Sequence, residues 1–147
     1  MPHSLSVCHR LTKAGLRMYR ILIVEDHRII ATDLAQIVEH VADCTATVTD
    51  SAQEALSRSQ DIHFDLALID IDLGAEDDGI GAALALRERF NTRSIFVSAY
   101  LDDAARQRAG RADPFGFLGK PFVAADVVAM LIAALGNGTR MKSGNAR

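Results

Sequence analysis

The sequence predicts an α/β domain: a doubly wound parallel sheet of five strands with helices on both faces. Three observations predict it. Short apolar or β-branched runs alternate with longer segments of helical periodicity, five times in succession. Several runs are apolar at every position, as in Ile21-Leu22-Ile23-Val24, which marks a strand covered on both faces. The 147 residues suffice for one domain with its own core, not for two.

The elements follow in order. Ile21 to Val24 is the first strand. Ile30, Leu34, Ile37, Val38 and Val41 then recur at the spacing of a helix with one apolar face. Cys44 to Val48 is rich in β-branched residues and reads as the second strand. Ser51 with Glu54 three residues later has the form of a capping box, opening a helix that runs to about Gln60. Leu66 to Ile69 is the third strand, and Ile80, Ala83, Leu84 and Phe90 define the third helix. Ile95 to Val97 is the fourth strand. A weak polar helix from Asp102 to Arg108 stops at Gly110, and Phe115 to Leu118 is a short fifth strand. Val123 to Leu135 closes the fold with a strongly apolar helix.

That last helix has two faces. Val123, Val127, Val128, Leu131, Ile132 and Leu135 form the stripe expected to meet the sheet. Ala125, Ala129, Met130 and Ala133 lie opposite, and Asp126 is the only charge in the helix. A solvated face normally carries more charge, so this one is expected to dock a partner or a second copy, making a homodimer.

Composition narrows the function. With 49% hydrophobic and 24% charged residues, the chain is neither disordered nor fibrous. No run approaches the roughly 20 apolar residues of a membrane span. The formal charge of −3 gives no general attraction to nucleic acid or acidic lipid, so neither is expected as a partner. Cys8 and Cys44 have neither metal-site spacing nor a disulfide framework, which suits a reducing, cytoplasmic compartment. Residues 1–19 read as a poorly ordered arm, basic up to Glu25 and lacking the apolar run of a secretory signal; Met18 is an alternative start. Residues 20–136 form the domain, and residues 137–147 a polar, glycine-rich tail.

In an open parallel sheet, ligands bind at the carboxyl ends of the strands. Glu25 and Asp26 follow the first strand, Asp70 ends the third with Asp72 close behind, Ser98 ends the fourth, and the fifth runs into Lys120. Carboxylates gathered there repel one another unless a cation joins them. An all-oxygen set suits Mg²⁺. A hydroxyl and an ammonium beside it are donors for phosphoryl oxygens, so the arrangement suits phosphoryl transfer to Asp70.

These residues resemble the receiver domain of two-component response regulators, over roughly Arg20 to Leu135. The resemblance rests on Ile-Leu-Ile-Val-Glu25-Asp26-His, Asp65-Leu-Ala-Leu-Ile-Asp70-Ile, Ser98-Ala99 and Phe117-Leu-Gly-Lys120-Pro121-Phe122, in that order. It implies a flavodoxin-like strand order 2-1-3-4-5. It implies Asp70 as phosphoacceptor and Mg²⁺ held by Glu25, Asp26, Asp70 and the backbone carbonyl of Asp72. Ser98 and Lys120 would contact the phosphoryl group, Phe117 would be the switch aromatic, and Lys120-Pro121 would be cis. The phosphoryl donor would be a histidine kinase or a histidine phosphotransfer protein. A downstream protein, which the sequence does not name, would read the surface from the fourth helix to the fifth.

The chain also departs from the family. The loop after Asp70 reads Ile-Asp72-Leu-Gly-Ala-Glu76-Asp77-Asp78-Gly79, without the usual proline and with an added carboxylate at Asp72. Tyr100 lies two residues beyond Ser98. In the family these two positions, Asp72 and Tyr100, tune the lifetime of the acylphosphate. Arg111-Ala-Asp-Pro114-Phe-Gly replaces the usual small-residue link, so the fourth helix is expected to be short or irregular.

The sequence thus reads as a stand-alone phosphoacceptor module that catalyses only its own phosphorylation and dephosphorylation. One alternative is a receiver-fold adaptor that works without phosphate. Another is a small phosphatase of the haloacid-dehalogenase type, which the pair Asp70-Ile-Asp72 resembles. That family places further metal-binding acids after its lysine, whereas here only Asp126 follows Lys120.

Overall fold

The computed structural model describes residues 17–74 and 79–136. Five strands form one parallel sheet in the order β2-β1-β3-β4-β5. They are β1 (Tyr19–Val24), β2 (Cys44–Thr49), β3 (Leu66–Asp70), β4 (Ser94–Ser98) and β5 (Gly116–Gly119). Five helices alternate with them: α1 (Arg28–His40), α2 (Ala52–Asp61), α3 (Gly79–Phe90), α4 (Asp103–Ala109) and α5 (Ala124–Leu135). The fold class and strand order match expectation. No described helix is long and apolar enough to cross a membrane.

The unbroken apolar runs have a simple cause. Successive strand side chains point to opposite faces, and here both faces are covered. Ile21, Ile23, Leu68, Ile95 and Val97 pack with Leu34 and Val38 of α1 and Val127 and Leu131 of α5. Their neighbours Leu22, Val24, Ala67, Ile69 and Phe96 pack with Ala55 of α2, Leu86 of α3 and Ala109 of α4. Each fully buried aliphatic side chain contributes about 1.5–3 kcal/mol relative to exposure, so the alternation ties all three layers together.

Several boundaries moved. Tyr19, assigned to the arm, opens β1: it pairs with Cys44 and its N–H donates to Asp43 O at 2.6 Å. Arg17 before it is anchored too, 3.1 Å from Asp65 Oδ1 and with its guanidinium over the Tyr19 ring. The Ser51 cap is present, Ser51 Oγ accepting from Glu54 N at 3.1 Å, but the Glu54 carboxylate reaches back to Asp50 N instead of Ser51 N. The expected short α4 has 7 residues and tightens into a 3₁₀ turn, Gly110–Ala112. Asp113 then turns the chain toward β5 with φ of 52°.

On α5 the expected faces need two corrections. Val123 precedes the first helical turn in extended backbone and is 58% exposed, so it does not join the stripe. Met130 packs inward, because Gly116 on β5 has no side chain: a Cβ there would meet Met130 Sδ at 2.7 Å. Val127 and Leu131 are buried, whereas Ala125, Ala129 and Ala133 are exposed as expected.

Gly79 locks the loop after β3. Its N–H donates to Ile71 O at 2.9 Å. A Cβ at Gly79 would overlap Asp70 O and stand 2.9 Å from the Asp70 carbonyl carbon, backbone that has nowhere to go. Gly81, two residues later on the exposed side of α3, meets nothing. Gly79→Ala should therefore destabilise by at least about 2 kcal/mol, whereas Gly81→Ala should stabilise by roughly 0.5–1 kcal/mol. Urea unfolding followed by circular dichroism measures both, and equal effects would contradict the assignment.

Candidate functional site

The register of the sheet builds the site. Val24 pairs with Ile69, so Glu25, the next residue, arrives beside Asp70. Asp70 pairs with Val97, and Ile71 N donates to Val97 O at 3.1 Å, which sets Ser98 beyond it. Ser98 pairs with Gly119, and Lys120 N donates to Ser98 O at 2.8 Å. Four strand ends thus deliver two acids, a hydroxyl and an ammonium to one sheet edge. The Lys120-Pro121 bond that follows is cis, as the family resemblance implies.

Asp26 completes an acidic group. One carboxylate oxygen each from Glu25, Asp26 and Asp70 lie within 4.8 Å of one another. Glu25 and Asp70 are buried and Asp26 is exposed, so the cluster opens to solvent on one side. Backbone donors fix each carboxylate. His27 N donates to Glu25 Oε2, Asp72 N to Asp70 Oδ1 and Gly74 N to Asp26 Oδ2, each at 3.1 Å. Glu25 and Asp26 therefore do not cap α1; His27 occupies the cap position, without a side-chain bond.

Among the described residues, Lys120 balances this charge from within. Its Nζ lies 3.1 Å from Glu25 Oε1 and 3.5 Å from Asp70 Oδ2. Three carboxylates and one ammonium leave two negative charges uncompensated when all are ionised. Burial pushes the Glu25 carboxyl above the usual carboxylate range, and the neighbouring Asp70 pushes it the same way. The Lys120 ammonium and the His27 N–H oppose that rise without cancelling it. An all-oxygen, net-negative pocket with one exposed lip fits a hard divalent cation.

Ser98, Asp72 and Tyr100 form a second group beside the first. Ser98 Oγ accepts from Tyr100 N at 3.0 Å, and its own proton faces Tyr100 O at 3.2 Å and Asp72 Oδ2 at 3.5 Å. Asp72, a metal ligand by expectation through its carbonyl, is exposed at its side chain and outside the carboxylate group. The Tyr100 ring is 77% exposed. Glu76, Asp77 and Asp78 lie outside the described residues.

Phe117 is half-buried between two partners. Its ring stacks on Phe96 with centroids 5.9 Å apart, and the Arg106 guanidinium covers it at 4.9 Å. Sequence reasoning missed Arg106 and Gly79. Arg106 sits in a weak polar helix with no apolar stripe to orient it, and Gly79 looks like any loop glycine.

Comparison with known proteins follows the same lines. A family model described as the response regulator receiver domain matches residues 21–132. The chain is similar to the phyllosphere-induced regulator PhyR of Methylorubrum extorquens, 34% identical over 117 residues, which is 78% of this chain and 43% of that protein. The chain therefore spans less than half the length of that curated relative. Among solved structures, the signal receiver domain of a modulated diguanylate cyclase from Desulfovibrio desulfuricans G20 is 34% identical, with a TM-score of 0.73. That likeness covers 80% of this chain and 94% of the other. A CheY-like response regulator receiver domain protein from Methanospirillum hungatei JF-1 is 26% identical, with a TM-score of 0.70, over 78% and 90% of the two chains.

The raised Glu25 carboxyl makes a stability prediction. The folded state keeps this proton to higher pH than the unfolded chain does, so ionising Glu25 costs folded-state stability. That cost is absent below the ordinary glutamate range and complete above the raised value. In chelator at neutral pH, Glu25→Gln should melt higher than wild type, by on the order of 1 kcal/mol. The gap should close as pH falls into the ordinary glutamate range. Thermal melts across pH check this; a variant that melts lower than wild type at neutral pH contradicts it.

Proposed function

Because the chain belongs to the response regulator receiver domain family, we propose that Asp70 is its phosphoacceptor and that Ser98 and Lys120 hold the incoming phosphoryl group. A receiver domain is a phosphoacceptor signalling module of a two-component system. The observation that carries the assignment is the convergence of Asp70, Glu25 and Asp26 with Lys120, whose ammonium lies 3.5 Å from Asp70 Oδ2.

The chemistry follows from the groups in place. An Asp70 oxygen attacks phosphorus, the bond from phosphorus to the donor's histidine nitrogen breaks, and an acylphosphate forms. Lys120 Nζ already stands between Glu25 and Asp70, where it can turn to a phosphoryl oxygen. Ser98 donates its proton only after releasing Tyr100 O and Asp72, so phosphorylation draws the β4 end toward the new charge. Glu25, Asp26, Asp70 and the Asp72 backbone carbonyl would hold Mg²⁺, which neutralises phosphoryl charge when bound. Asp72 and Tyr100, at the mouth, set the acylphosphate lifetime. Formation and loss of that bond are the only reactions the chain catalyses.

The donor is a histidine kinase or a histidine phosphotransfer protein, and the output is a change in affinity for a downstream protein. Phe117, stacked between Phe96 and Arg106, is the aromatic that turns as the Ser98 loop moves. The alanine face of α5 pairs two copies, since Ala125, Ala129 and Ala133 expose it with one charge, Asp126, nearby. The buried Cys44 fits a reducing, cytoplasmic setting.

The test is incubation with acetyl phosphate and Mg²⁺, then intact-mass measurement. Wild type should gain one phosphoryl, Asp70→Asn should gain none, and chelator should abolish the gain. No gain under conditions that label a control receiver contradicts the reading and favours a phosphate-independent adaptor. Light scattering of the same samples over a dilution series tests the α5 pairing, which a monomer at every concentration, labelled or not, would exclude.

A further inference from the structure

The charge is divided across the sheet. Between Arg17 and Gly74 the chain carries four cations and eleven acids; between Gly79 and Lys120 it carries seven cations and four acids. The first stretch supplies β1, β2 and β3, and the second supplies β4 and β5 with α3 and α4. An acidic protein thus presents a basic side at its β5 edge. Every cation of that side except Lys120, which points into the site, is an arginine.

Arg106 and Arg108 on α4 and Arg111 in the turn after it are all exposed. Arg106 is held in place. Its guanidinium carbon sits over Phe117, 4.9 Å from the ring centroid, and its Nε donates to Leu101 O at 3.2 Å. Its two terminal nitrogens have no hydrogen-bond partner among the described residues. A guanidinium restrained this way loses little freedom on accepting a carboxylate, which it matches two bonds at a time. The same side already captures one carboxylate of its own chain: Arg87 and Arg93 converge on Asp113 at 3.2 and 3.6 Å.

We propose that the arginine face of α4 and its following turn docks an acidic segment of a partner protein, with Arg106 as anchor and Arg108 and Arg111 flanking it. The proposal rests on the phosphoacceptor reading above, because Arg106 links that face to the site. It stands on Phe117 and is tied to Leu101, three residues after Ser98. Movement of the Ser98 loop therefore moves the anchor and changes the affinity of the face. Nucleic acid is the less favoured occupant, since Asp102, Asp103 and Asp113 are interspersed among the arginines and the net charge is −3.

The probe is a fluorescein-labelled octaglutamate peptide, read by polarisation against the full chain with Mg²⁺. It should bind at about 20 mM NaCl and weaken about tenfold or more by about 200 mM, as exposed charge contacts are screened. Arg106→Ala, and separately the pair Arg108→Glu and Arg111→Glu, should each weaken it about tenfold, while Arg58→Glu on the acidic side should not. Acetyl phosphate should shift the wild-type affinity at least about threefold and leave that of Asp70→Asn unchanged. No binding at low salt, binding that ignores the arginine substitutions, or tighter binding of an equal-length oligothymidylate would overturn the proposal. Mass measurement on the same samples separates the two readings. Full labelling with unchanged affinity sinks this proposal alone, and no labelling sinks the phosphoacceptor reading, whereas the peptide's response to the arginine substitutions judges the surface either way.

Discussion

Electrostatic repulsion at one edge of the sheet governs this molecule. Three carboxylate groups are gathered within a few ångströms, two of them buried, and one lysine answers them. Nothing in folding alone favours this: burial, and then the neighbouring Asp70, push the Glu25 carboxyl upward, so ionising it inside the fold is unfavourable. The layers beneath must be stable enough to hold the acids together, and the group then attracts whatever neutralises it. Lys120 already supplies part of that neutralisation, and a divalent cation would supply the rest.

The rest of the architecture serves that convergence. The parallel register sets Glu25 beside Asp70 and Lys120 beside Ser98. Backbone N–H groups of His27, Asp72 and Gly74 aim the carboxylates, so their direction is fixed by turns and not by the acids' mutual preference. Gly79 lets α3 close against the backbone of Asp70, which holds the turn that carries Asp72. From the site outward, Ser98 leads through its loop to Leu101, Arg106 and Phe117, a short physical path to the β5 edge.

Much of this was legible in the sequence, for identifiable reasons. Strands buried on both faces leave unbroken apolar runs, so Ile21 to Val24 and Leu66 to Ile69 announced themselves, and strand ends then pointed to Glu25, Asp26, Asp70 and Lys120. What escaped depends on contacts that no local pattern encodes. Met130 turned inward because a glycine lies across from it on β5. Arg17 joined the fold because a carboxylate at the start of β3 was within reach. The Asp72 side chain faces Ser98, a partner 26 residues away, and the stacking of Arg106 on Phe117 likewise spans two elements. Periodicity reports which face is covered, and not by what.

The central claim is that the clustered acids exist to hold a divalent cation. Calorimetric titration of Mg²⁺ into the unphosphorylated chain at low ionic strength addresses it most directly. The account predicts a single site in the wild type, with affinity falling about tenfold or more in Asp26→Asn and in Glu25→Gln, as loss of a directly coordinating carboxylate requires. A wild type that takes up no stoichiometric Mg²⁺, or variants that bind it as tightly, would contradict the account.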